Sequence, residues 1–364
     1  MSPFSPFGIQ RILITRLRFL GDVVLTTPLI RALRQRFPQA HLAYLSEKPY
    51  GEVLHHNPHL NALLTLEQRE IASLPLSRRA FAQAGFIRAL REKKYDLVID
   101  LFGNPRSGLL TYLSGAKDRF GPARRGRAVY YTKLIPGLDR PHTQIEAHLE
   151  FLKPLGIEPS KVSHRTEVFL SEEEKAWVHS YLKEHGLTHH PLILLHPGAS
   201  WPAKRWFPER FAQIAEMLRE EVSATIVLVC GPDETPIIGE VVREMTNKPH
   251  VADGLPVKRL CALLSACDLS ITNDAGPMHI ACALGIPTLA LFGPGDPATW
   301  FPYNEAHQVA IHHPPSCWPC HLDVCDKMDC MKTIAIEEVI KEAKQLLSLH
   351  PTPYALHPEV LCPT

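Results

Sequence analysis

Short apolar runs alternate with segments of helical periodicity along the first half of this chain. The runs cover residues 11–17, 41–45 and 96–101, and helical periodicity covers 80–93 and a segment that ends near Phe37. Continuously apolar runs of this length are typical of strands buried on both faces of a parallel sheet. Strands that alternate with helices predict an α/β fold in which helices cover both faces of the sheet.

The same alternation starts again after a polar connector at 156–159. Ser171 and Glu174 form a capping box, which predicts that a helix begins there. Helices are also predicted over 142–155, before the connector, and over 336–349, near the end of the chain. The strands predicted in this half cover 192–196, 225–230, 268–272 and 288–292.

Length and charge divide the chain in a similar way. A chain of 364 residues is expected to hold about two domains. We place them at 1–165 and 166–335, with 336–364 as a last helix and tail. The whole chain has 39 Lys and Arg against 38 Asp and Glu, but the part through Arg165 alone carries 25 against 13. A basic first half and an acidic second half predict different partners, with an anion for the first.

The sequence also bears on where the protein acts. The apolar stretch 12–30 is interrupted by Arg16, Arg18 and Asp22, and no small-residue cleavage site follows it. It therefore predicts neither a signal peptide nor a membrane span. A cytoplasmic protein is expected, in which the thiols of the nine cysteines are reduced.

One stretch in the second half predicts an anion site. After the strand at 268–272, Asn273 and Asp274 form a polar turn, and a helix opens at Gly276. Such a helix start points free N–H groups and a partial positive charge at one spot, which suits a phosphate. Asn273 and Asp274 can cap this helix or bond a sugar hydroxyl, and His279 lies on its first turn. A capped turn without a ligand is the structural alternative.

Two further strand ends carry candidate chemistry. A turn of small residues, 198–200, follows one predicted strand, and Lys204 lies just beyond it, which together suit a phosphate cradle. Asp22 lies where the first strand gives way to its helix, the position at which open α/β sheets bind ligands. A helix cap is the ordinary role of such a residue. The chain contains neither a G-x-G-x-x-G nor a P-loop sequence.

A basic segment punctuated by glycine, 119–127, interrupts the first half. Its charge fits an anionic partner, although most basic loops are only solvated surface. No recognised nucleic-acid motif or series of stacking aromatic residues accompanies it, so nucleic acid is not expected as the partner.

Four cysteines occur close together before the last helix. Their C-x2-C-x4-C-x4-C spacing resembles a closed structural metal site without matching a standard zinc or iron–sulfur signature. Free or redox-active thiols are the alternative. The four residues are Cys317, Cys320, Cys325 and Cys330.

Taken in order, these segments resemble the ADP-heptose:lipopolysaccharide heptosyltransferases of glycosyltransferase family 9. The resemblance spans most of the chain and rests on an ordered set of motifs, each of them weak alone. The cysteine loop also resembles a core-modifying branch of the family, the third heptosyltransferase type. The matching segments are Leu20-Gly21-Asp22-Val23 with Thr26-Thr27-Pro28, His196-Pro197-Gly198-Ala199 with Lys204-Arg205-Trp206, Thr272-Asn273-Asp274-Ala275-Gly276-Pro277-Met278-His279, and Leu291-Phe292-Gly293-Pro294.

This resemblance implies a GT-B fold, in which two Rossmann-like domains with parallel sheets face each other and the last helix crosses back to the first domain. The first domain would bind the acceptor, the anionic inner core of lipopolysaccharide, and the second the ADP-heptose donor. The expected acceptor contacts are Arg16, Arg18, Arg106, Arg119, Arg124, Arg125 and Arg127. The expected donor contacts are Gly198, Ala199, Ser200, Lys204, Asn273, Asp274, Ala275, Gly276, Met278 and His279.

The same resemblance implies an inverting transfer that requires no metal or other cofactor. An acceptor hydroxyl attacks the anomeric carbon while ADP leaves, and Asp22 matches the family's general base. The leaving diphosphate would rest on the N–H groups of Ala275, Gly276 and Met278, with the charge of Lys204 nearby. Position 275 is Ala where the family usually has Thr or Ser, so a hydroxyl near the diphosphate is missing. Membrane contact, at the inner leaflet of the inner membrane, would be peripheral.

Two other functions remain compatible with these residues. A transferase or epimerase could use another nucleotide sugar on the same fold, since donor choice depends on loop contacts. A non-catalytic lipopolysaccharide-binding protein would keep the fold and lose the site. A non-catalytic role is disfavoured because the candidate site residues are all present. These residues are Asp22, Lys204, Asp274 and His279.

Overall fold

The computed structural model describes most of the chain and divides it into two compact units. The units are Met1–Glu167 and Val168–Thr364, so the division falls two residues after the boundary at 165 suggested by the sequence. Each unit contains one parallel six-stranded sheet. The described residues are 8–124, 126–136, 143–301, 303, 307–320 and 322–349.

The sheet of the first unit carries strands that pair only in parallel. The strands are β1 (Arg11–Thr15), β2 (His41–Glu47), β3 (Ala62–Leu66), β4 (Leu97–Asp100), β5 (Asp118–Pro122) and β6 (Lys133–Ile135). They lie in the order β3-β2-β1-β4-β5-β6. The central strands β1 and β4 are buried almost throughout, as their continuous apolar runs predict.

Helices and short 3-10 turns connect these strands. The helices are α1 (Leu20–Val24), α2 (Thr27–Arg36), α3 (Gln68–Ser73), α4 (Leu76–Glu92), α5 (Pro105–Leu113) and α6 (Gln144–Leu149). The helix predicted over 142–155 turns into a 3-10 helix after Leu149, where Pro154 cannot donate the α-helical hydrogen bond. Other 3-10 turns cover Tyr50–Leu54, Ala128–Tyr130 and Pro159–Lys161.

The second unit repeats the architecture with its own parallel sheet, in the order β12-β11-β10-β7-β8-β9. The strands are β7 (Leu192–His196), β8 (Thr225–Cys230), β9 (His250–Asp253), β10 (Leu269–Asn273), β11 (Thr288–Phe292) and β12 (Gln308–His312). The helices are α7 (Glu172–Glu184), α8 (Pro208–Val222), α9 (Thr235–Glu244), α10 (Val257–Ser265), α11 (Gly276–Ala283), α12 (Pro297–Trp300), α13 (Asp329–Lys332) and α14 (Ile336–Leu349). A 3-10 turn covers Pro202–Lys204.

In each sheet the first strand along the chain lies in the middle. From that strand the chain first adds strands on one side and then adds the others on the opposite side. β1 pairs with β2 and β4, and β7 pairs with β8 and β10. The loops that leave the carboxyl ends of such strands open away from each other, which creates the crevice where open α/β sheets bind ligands. The α/β prediction is therefore confirmed, and each sheet has a site-forming edge.

The last helix, α14, corrects one expectation. Its apolar face, which includes Val339, Ala343 and Leu346, is buried in a core that also contains residues of α8, β10 and β11. The helix that was expected to cross back to the first domain therefore belongs to the second unit, because its apolar stripe completes that unit's core. The tail at 350–364 lies outside the described residues.

The strands that the sequence pattern did not predict are mainly those at the sheet edges. β3, β6, β9 and β12 are the four edge strands, and each has partly exposed positions that break a continuous apolar run. β5 covers the first part of the segment that was predicted as a basic loop. Continuous apolar runs thus predict the strands that are buried on both faces and miss the partly exposed strands.

Candidate active site

Asp22 lies in the first turn of α1, just beyond the carboxyl end of β1. It is only 7% exposed. Its Oδ1 pairs with the guanidinium of Arg16, and its Oδ2 accepts a hydrogen bond from the Phe19 N–H at 3.3 Å. Arg16 is itself held, because it donates to the Leu101 carbonyl at 3.1 Å and lies 4.8 Å from the centre of the Phe102 ring. Arg16 therefore orients Asp22, and its predicted contact with the acceptor stays a prediction.

A buried carboxylate that sequence reasoning missed brings two of the predicted arginines together. Glu47, at the end of β2, is 4% exposed. Its Oε2 accepts from Arg18 Nε at 2.6 Å, and its Oε1 accepts from Arg106 Nη1 at 2.7 Å. Arg106 also donates to Gln68. The side chains of Arg18 and Arg106 are still 44% and 32% exposed, so both can reach a ligand.

The remaining predicted arginines of the first unit do not gather around Asp22 in the same way. Arg119, in β5, donates to the carbonyl oxygens of Ala116 and Tyr130 at 2.7 and 2.9 Å, so it holds the segments before and after its own strand. Arg127 donates to a carbonyl in the loop after β4. Arg124 is exposed, and Arg125 lies outside the described residues. Their role as acceptor contacts stays a prediction.

The neighbouring ends of β7 and β10 bring Lys204 and Asp274 together. Lys204 Nζ lies 2.5 Å from Asp274 Oδ2, and the two side chains are 18% and 5% exposed. The ammonium group also lies 4.9 Å from the centre of the Trp201 ring. Gly295, in the loop after β11, packs directly against this carboxylate. A Cβ at this position would lie 2.3 Å from Asp274 Oδ2, so only glycine leaves enough space. Three strand-end loops thus meet at one fixed, largely buried ion pair.

The helix start beside this pair differs in detail from the expectation. Ala275 is the N-cap of α11, with φ −149° and ψ 172°, and its side chain supplies no capping bond. The Met278 N–H donates to the Ala275 carbonyl at 3.2 Å, so it is engaged within the first turn. The contact of a diphosphate with the N–H groups of Ala275 and Gly276 stays a prediction. The side chain of Met278 is buried in an apolar cluster with Phe292.

Asn273, for which a donor contact stays a prediction, uses its side chain to hold the loops of the site together. It is completely buried. Its Nδ2 donates to the Pro197 carbonyl at 2.8 Å, and its Oδ1 accepts from the Trp206 N–H at 3.1 Å. Its amide therefore ties the turn after β7, including Gly198, to the strand before α11, which makes it a positioning residue.

His279 lies next to the same charges and stays neutral. Its Nδ1 is 3.0 Å from the Tyr303 hydroxyl, and the residue is 4% exposed. Burial, helped by the nearby charge of Lys204, lowers the pKa of His279 to about 3. A neutral imidazole here can accept or donate a hydrogen bond without adding charge to the site.

Glu234 is the second carboxylate that the sequence reasoning missed. It follows β8, and its Oε2 lies 3.2 Å from His196 Nε2 and accepts from the Gly231 N–H at 2.8 Å. Burial alone would raise its pKa, but the hydrogen bond and charge of His196 together with the Gly231 N–H outweigh burial and lower the pKa to about 2. The glycine-containing loop after a predicted strand was the only signal for this position.

Glu234 packs directly on the predicted phosphate turn, at Gly198. A Cβ on Gly198 would lie 2.2 Å from Glu234 Oε2 and 2.3 Å from its Cδ. Gly198→Ala is therefore expected to displace the carboxylate from His196 and to lower the free energy of unfolding by about 1–3 kcal/mol, as overpacking generally does. Chemical denaturation measures the change, and nucleotide affinity should fall with it.

Gly239→Ala is the matched control for this substitution. Gly239 lies in α9 of the same unit, and a Cβ there would meet no atom within 4 Å. Alanine in a helix should raise stability by about 0.5–1 kcal/mol. Equal stability of the two variants would contradict the close packing of Glu234 on Gly198.

The cysteine loop does not support the structural metal that its spacing suggested. Among the described residues, no three His, Cys, Asp or Glu side chains are grouped so that they could hold a metal ion. The cysteines instead line a cavity of about 370 Å³ together with Trp318 and Leu322. The four lining cysteines are Cys317, Cys320, Cys325 and Cys330.

Comparison of the whole chain with solved structures identifies the class of its fold. The crystal structure of a glycosyl transferase of family 9 from Veillonella parvula matches with a TM-score of 0.80 and 29% identity, over 93% of this chain and 98% of that one. The structure of the ADP-heptose lps heptosyltransferase II of E. coli matches with a TM-score of 0.78 and 23% identity, over 94% and 100%. The fold is the GT-B fold of glycosyltransferases.

The sequence identifies the family within this class. The model of glycosyltransferase family 9 (heptosyltransferase) matches residues 84–330, more than half of the chain. The chain belongs to this family, and the protein is a glycosyltransferase. A curated relative, lipopolysaccharide heptosyltransferase 3 of Escherichia coli strain K12, is 29% identical over 300 residues, which cover 79% of this chain and 84% of the relative. The family resemblance seen in the motifs is confirmed, which favours glycosyl transfer over epimerisation or a non-catalytic role.

Proposed function

We propose that the protein transfers a heptose from ADP-heptose to the inner core of lipopolysaccharide with inversion at the anomeric carbon. The observation that carries this proposal is the Lys204–Asp274 pair beside the uncapped start of α11, which forms a cradle for a diphosphate. The similarity of the chain to lipopolysaccharide heptosyltransferase 3 supports the choice of acceptor. Its structural similarity to an ADP-heptose lps heptosyltransferase of E. coli supports ADP-heptose as the donor.

The donor end of the reaction needs stabilisation of the leaving ADP. As the bond between the anomeric carbon and the diphosphate oxygen breaks, negative charge grows on that oxygen. The N–H groups of Ala275 and Gly276 lie at the positive end of the α11 dipole, which favours such a charge. Lys204 supplies a full positive charge, and Asp274 fixes its position by the 2.5 Å contact.

The acceptor end needs a base for the attacking hydroxyl. Oδ1 of Asp22 is paired with Arg16, whereas the bond to Oδ2 from the Phe19 N–H is long, at 3.3 Å. We assign Oδ2 as the atom that accepts the proton while the hydroxyl oxygen attacks the anomeric carbon. Because attack and departure occur in one displacement on opposite sides of that carbon, the configuration inverts.

The acceptor's own charges would be recognised by the exposed arginines. Arg18 and Arg106 each give one N–H donor to Glu47 and keep others for a ligand. Their planar guanidinium groups suit carboxylates and phosphates, which the inner core carries. Glu47 would therefore keep both groups in place before the acceptor arrives.

Calorimetric titration with ADP, UDP and GDP tests the donor. We expect ADP to bind selectively and with unchanged affinity when a chelator is present, because positive charge comes from Lys204 and backbone N–H groups. Preference for UDP or GDP would contradict the proposed donor, and loss of binding with chelator would contradict metal independence. A transfer assay with truncated-core lipopolysaccharide then tests the acceptor, and the anomeric proton coupling of the product tests inversion.

The lipid-linked acceptor implies that the protein works at a membrane surface. In the part of the chain that the structure describes, no helix is long and apolar enough to cross a membrane. We propose that contact with the inner leaflet is peripheral and electrostatic, because the first unit carries the excess of Lys and Arg.

A further inference from the structure

Helix α4 of the first unit has one side in the core and another that is open. Phe86, Ile87 and Leu90 form its inner side and pack on the core that includes Leu13 and Val98. The opposite side, which we call the outer face of α4, consists of residues at helical spacings of three, four and seven that are all exposed. These residues are Ser77, Arg78, Phe81, Ala84, Gly85 and Arg88.

Phe81 is the centre of this outer face. Its exposed fraction is 82%, although phenylalanine is a residue that folding usually buries. Its neighbours on the face, Ala84 and Gly85, are small, and a Cβ added to Gly85 would meet nothing within 4 Å. The ring therefore stands above a low surface that a flat partner can approach closely. Leu76, at the start of the same helix, is 79% exposed.

Positive charge surrounds this ring. α4 carries four arginines and one acidic residue, Glu92. Arg78 and Arg88 lie on the outer face on either side of Phe81, and the Arg88 side chain is 84% exposed. Arg88 shares one bond of 3.0 Å with Glu92, which leaves other donors of its guanidinium for phosphate. The face is thus apolar at its centre and basic at both ends.

We propose that the outer face of α4 binds the surface of a membrane containing anionic phospholipid. Phe81 would enter the boundary between headgroups and acyl chains, and Arg78 and Arg88 would contact lipid phosphates. Two features of the face favour a membrane. Its arginines complement the negative charge of the lipid, and the small residues around Phe81 leave a flat surface that a bilayer can approach. A protein would need a pocket for Phe81 with acidic walls, whereas every patch of an anionic bilayer offers an apolar layer beneath phosphates. The inference rests on the proposed membrane contact and names its surface.

Cosedimentation of the full chain with vesicles tests the proposal. We expect binding to vesicles of equal parts phosphatidylcholine and phosphatidylglycerol and little binding to phosphatidylcholine alone. Phe81→Ser should lower the partition coefficient by about tenfold, because the apolar ring that would become buried in the bilayer on binding is lost. The double variant Arg78→Gln and Arg88→Gln should lower it by about 25-fold, at roughly fivefold per arginine.

A matched double variant controls for total charge. Lys161→Gln and Arg165→Gln remove the same charge from two exposed positions of the same unit, outside α4. This control should bind within about twofold of the wild type. Thermal melting tests whether all variants are folded. We expect them to be folded, because every substituted residue is exposed.

Phe81→Trp provides a readout that a purely structural role would not move. The variant should bind as well as the wild type, since an indole suits the bilayer interface. Its added fluorescence emission should shift to the blue with phosphatidylglycerol vesicles. The same emission in the presence and absence of these vesicles would place the ring outside the lipid and overturn the inference.

Three further results would also overturn it. The first is equal binding to both kinds of vesicle, and the second is unchanged binding of Phe81→Ser. The third is a wild-type dimer that Phe81→Ser converts to a monomer, because a second copy of the chain would then cover the outer face of α4. Transfer activity is measured separately, with a water-soluble acceptor. Vesicle binding by a folded protein without turnover would contradict the proposed function alone, and turnover without vesicle binding would contradict this inference alone.

Discussion

Asp22→Asn is expected to lower kcat of heptose transfer by about 10²–10⁴-fold, because the amide cannot accept the proton of the acceptor hydroxyl. The substitution keeps the shape of the side chain, so it tests the charge and the base function. Donor affinity should change little, since the nucleotide is proposed to bind in the second unit. Steady-state kinetics with ADP-heptose and calorimetry with ADP measure the two effects.

Two controls separate this loss from damage to the fold. Asp22 pairs with the largely buried Arg16, and an unpaired buried charge can cost about 3–5 kcal/mol, so the free energy of unfolding must be measured for the variant. Asp96→Asn makes the same chemical change at the amino end of β1, where the carboxylate accepts from the N–H groups of Gln10 and Arg11 at 2.8 Å. Turnover that survives in Asp22→Asn would rule out Asp22 as the base.

Lys204→Met is expected to lower kcat by about 10²–10³-fold, as removal of a charge-stabilising donor does in other active sites. It should also weaken ADP binding, because the ammonium group is the fixed positive charge beside the start of α11. The variant has a second effect, since it leaves the carboxylate of Asp274 buried without its cation. That effect is expected to destabilise the fold by about 3–5 kcal/mol.

The double variant Lys204→Met and Asp274→Asn distinguishes catalysis from structure. Removing both charges avoids the unpaired carboxylate, so stability should recover towards that of the wild type, as a double-mutant cycle will measure. Activity should remain low, because neither substitution restores a positive charge for the diphosphate. Recovery of activity together with stability would show that Lys204 serves only to pair with Asp274.

The same two carboxylate sites show how far the sequence leads. Asp22 and Asp274 both follow apolar runs, and the carboxyl end of a buried parallel strand is where ligands bind. The ordered motifs around them were enough to indicate the family, which the match over residues 84–330 confirms. The roles of individual residues, by contrast, depend on what each side chain contacts.

Those contacts join parts of the chain that are far apart in sequence. Glu47 and Arg106 are 59 residues apart, yet they share a bond of 2.7 Å because β2 and β4 flank β1. Asn273, the last residue of β10, has a polar side chain within a predicted site motif, but its amide group is already bonded to Pro197 and Trp206. A motif therefore predicts where a polar residue lies along the chain and cannot predict whether it faces a ligand or the protein.

The sequence by itself determined the α/β class, the central strands, the two-unit organisation and the strand ends that carry the candidate chemistry. These follow from local patterns, because burial on both faces of a sheet requires continuous apolar runs. Only the tertiary structure decided that Arg16 orients Asp22, that Glu47 joins Arg18 to Arg106, and that α14 completes the second core. Each of these depends on which strands become neighbours, since strand order sets the distance between residues that the chain itself keeps far apart.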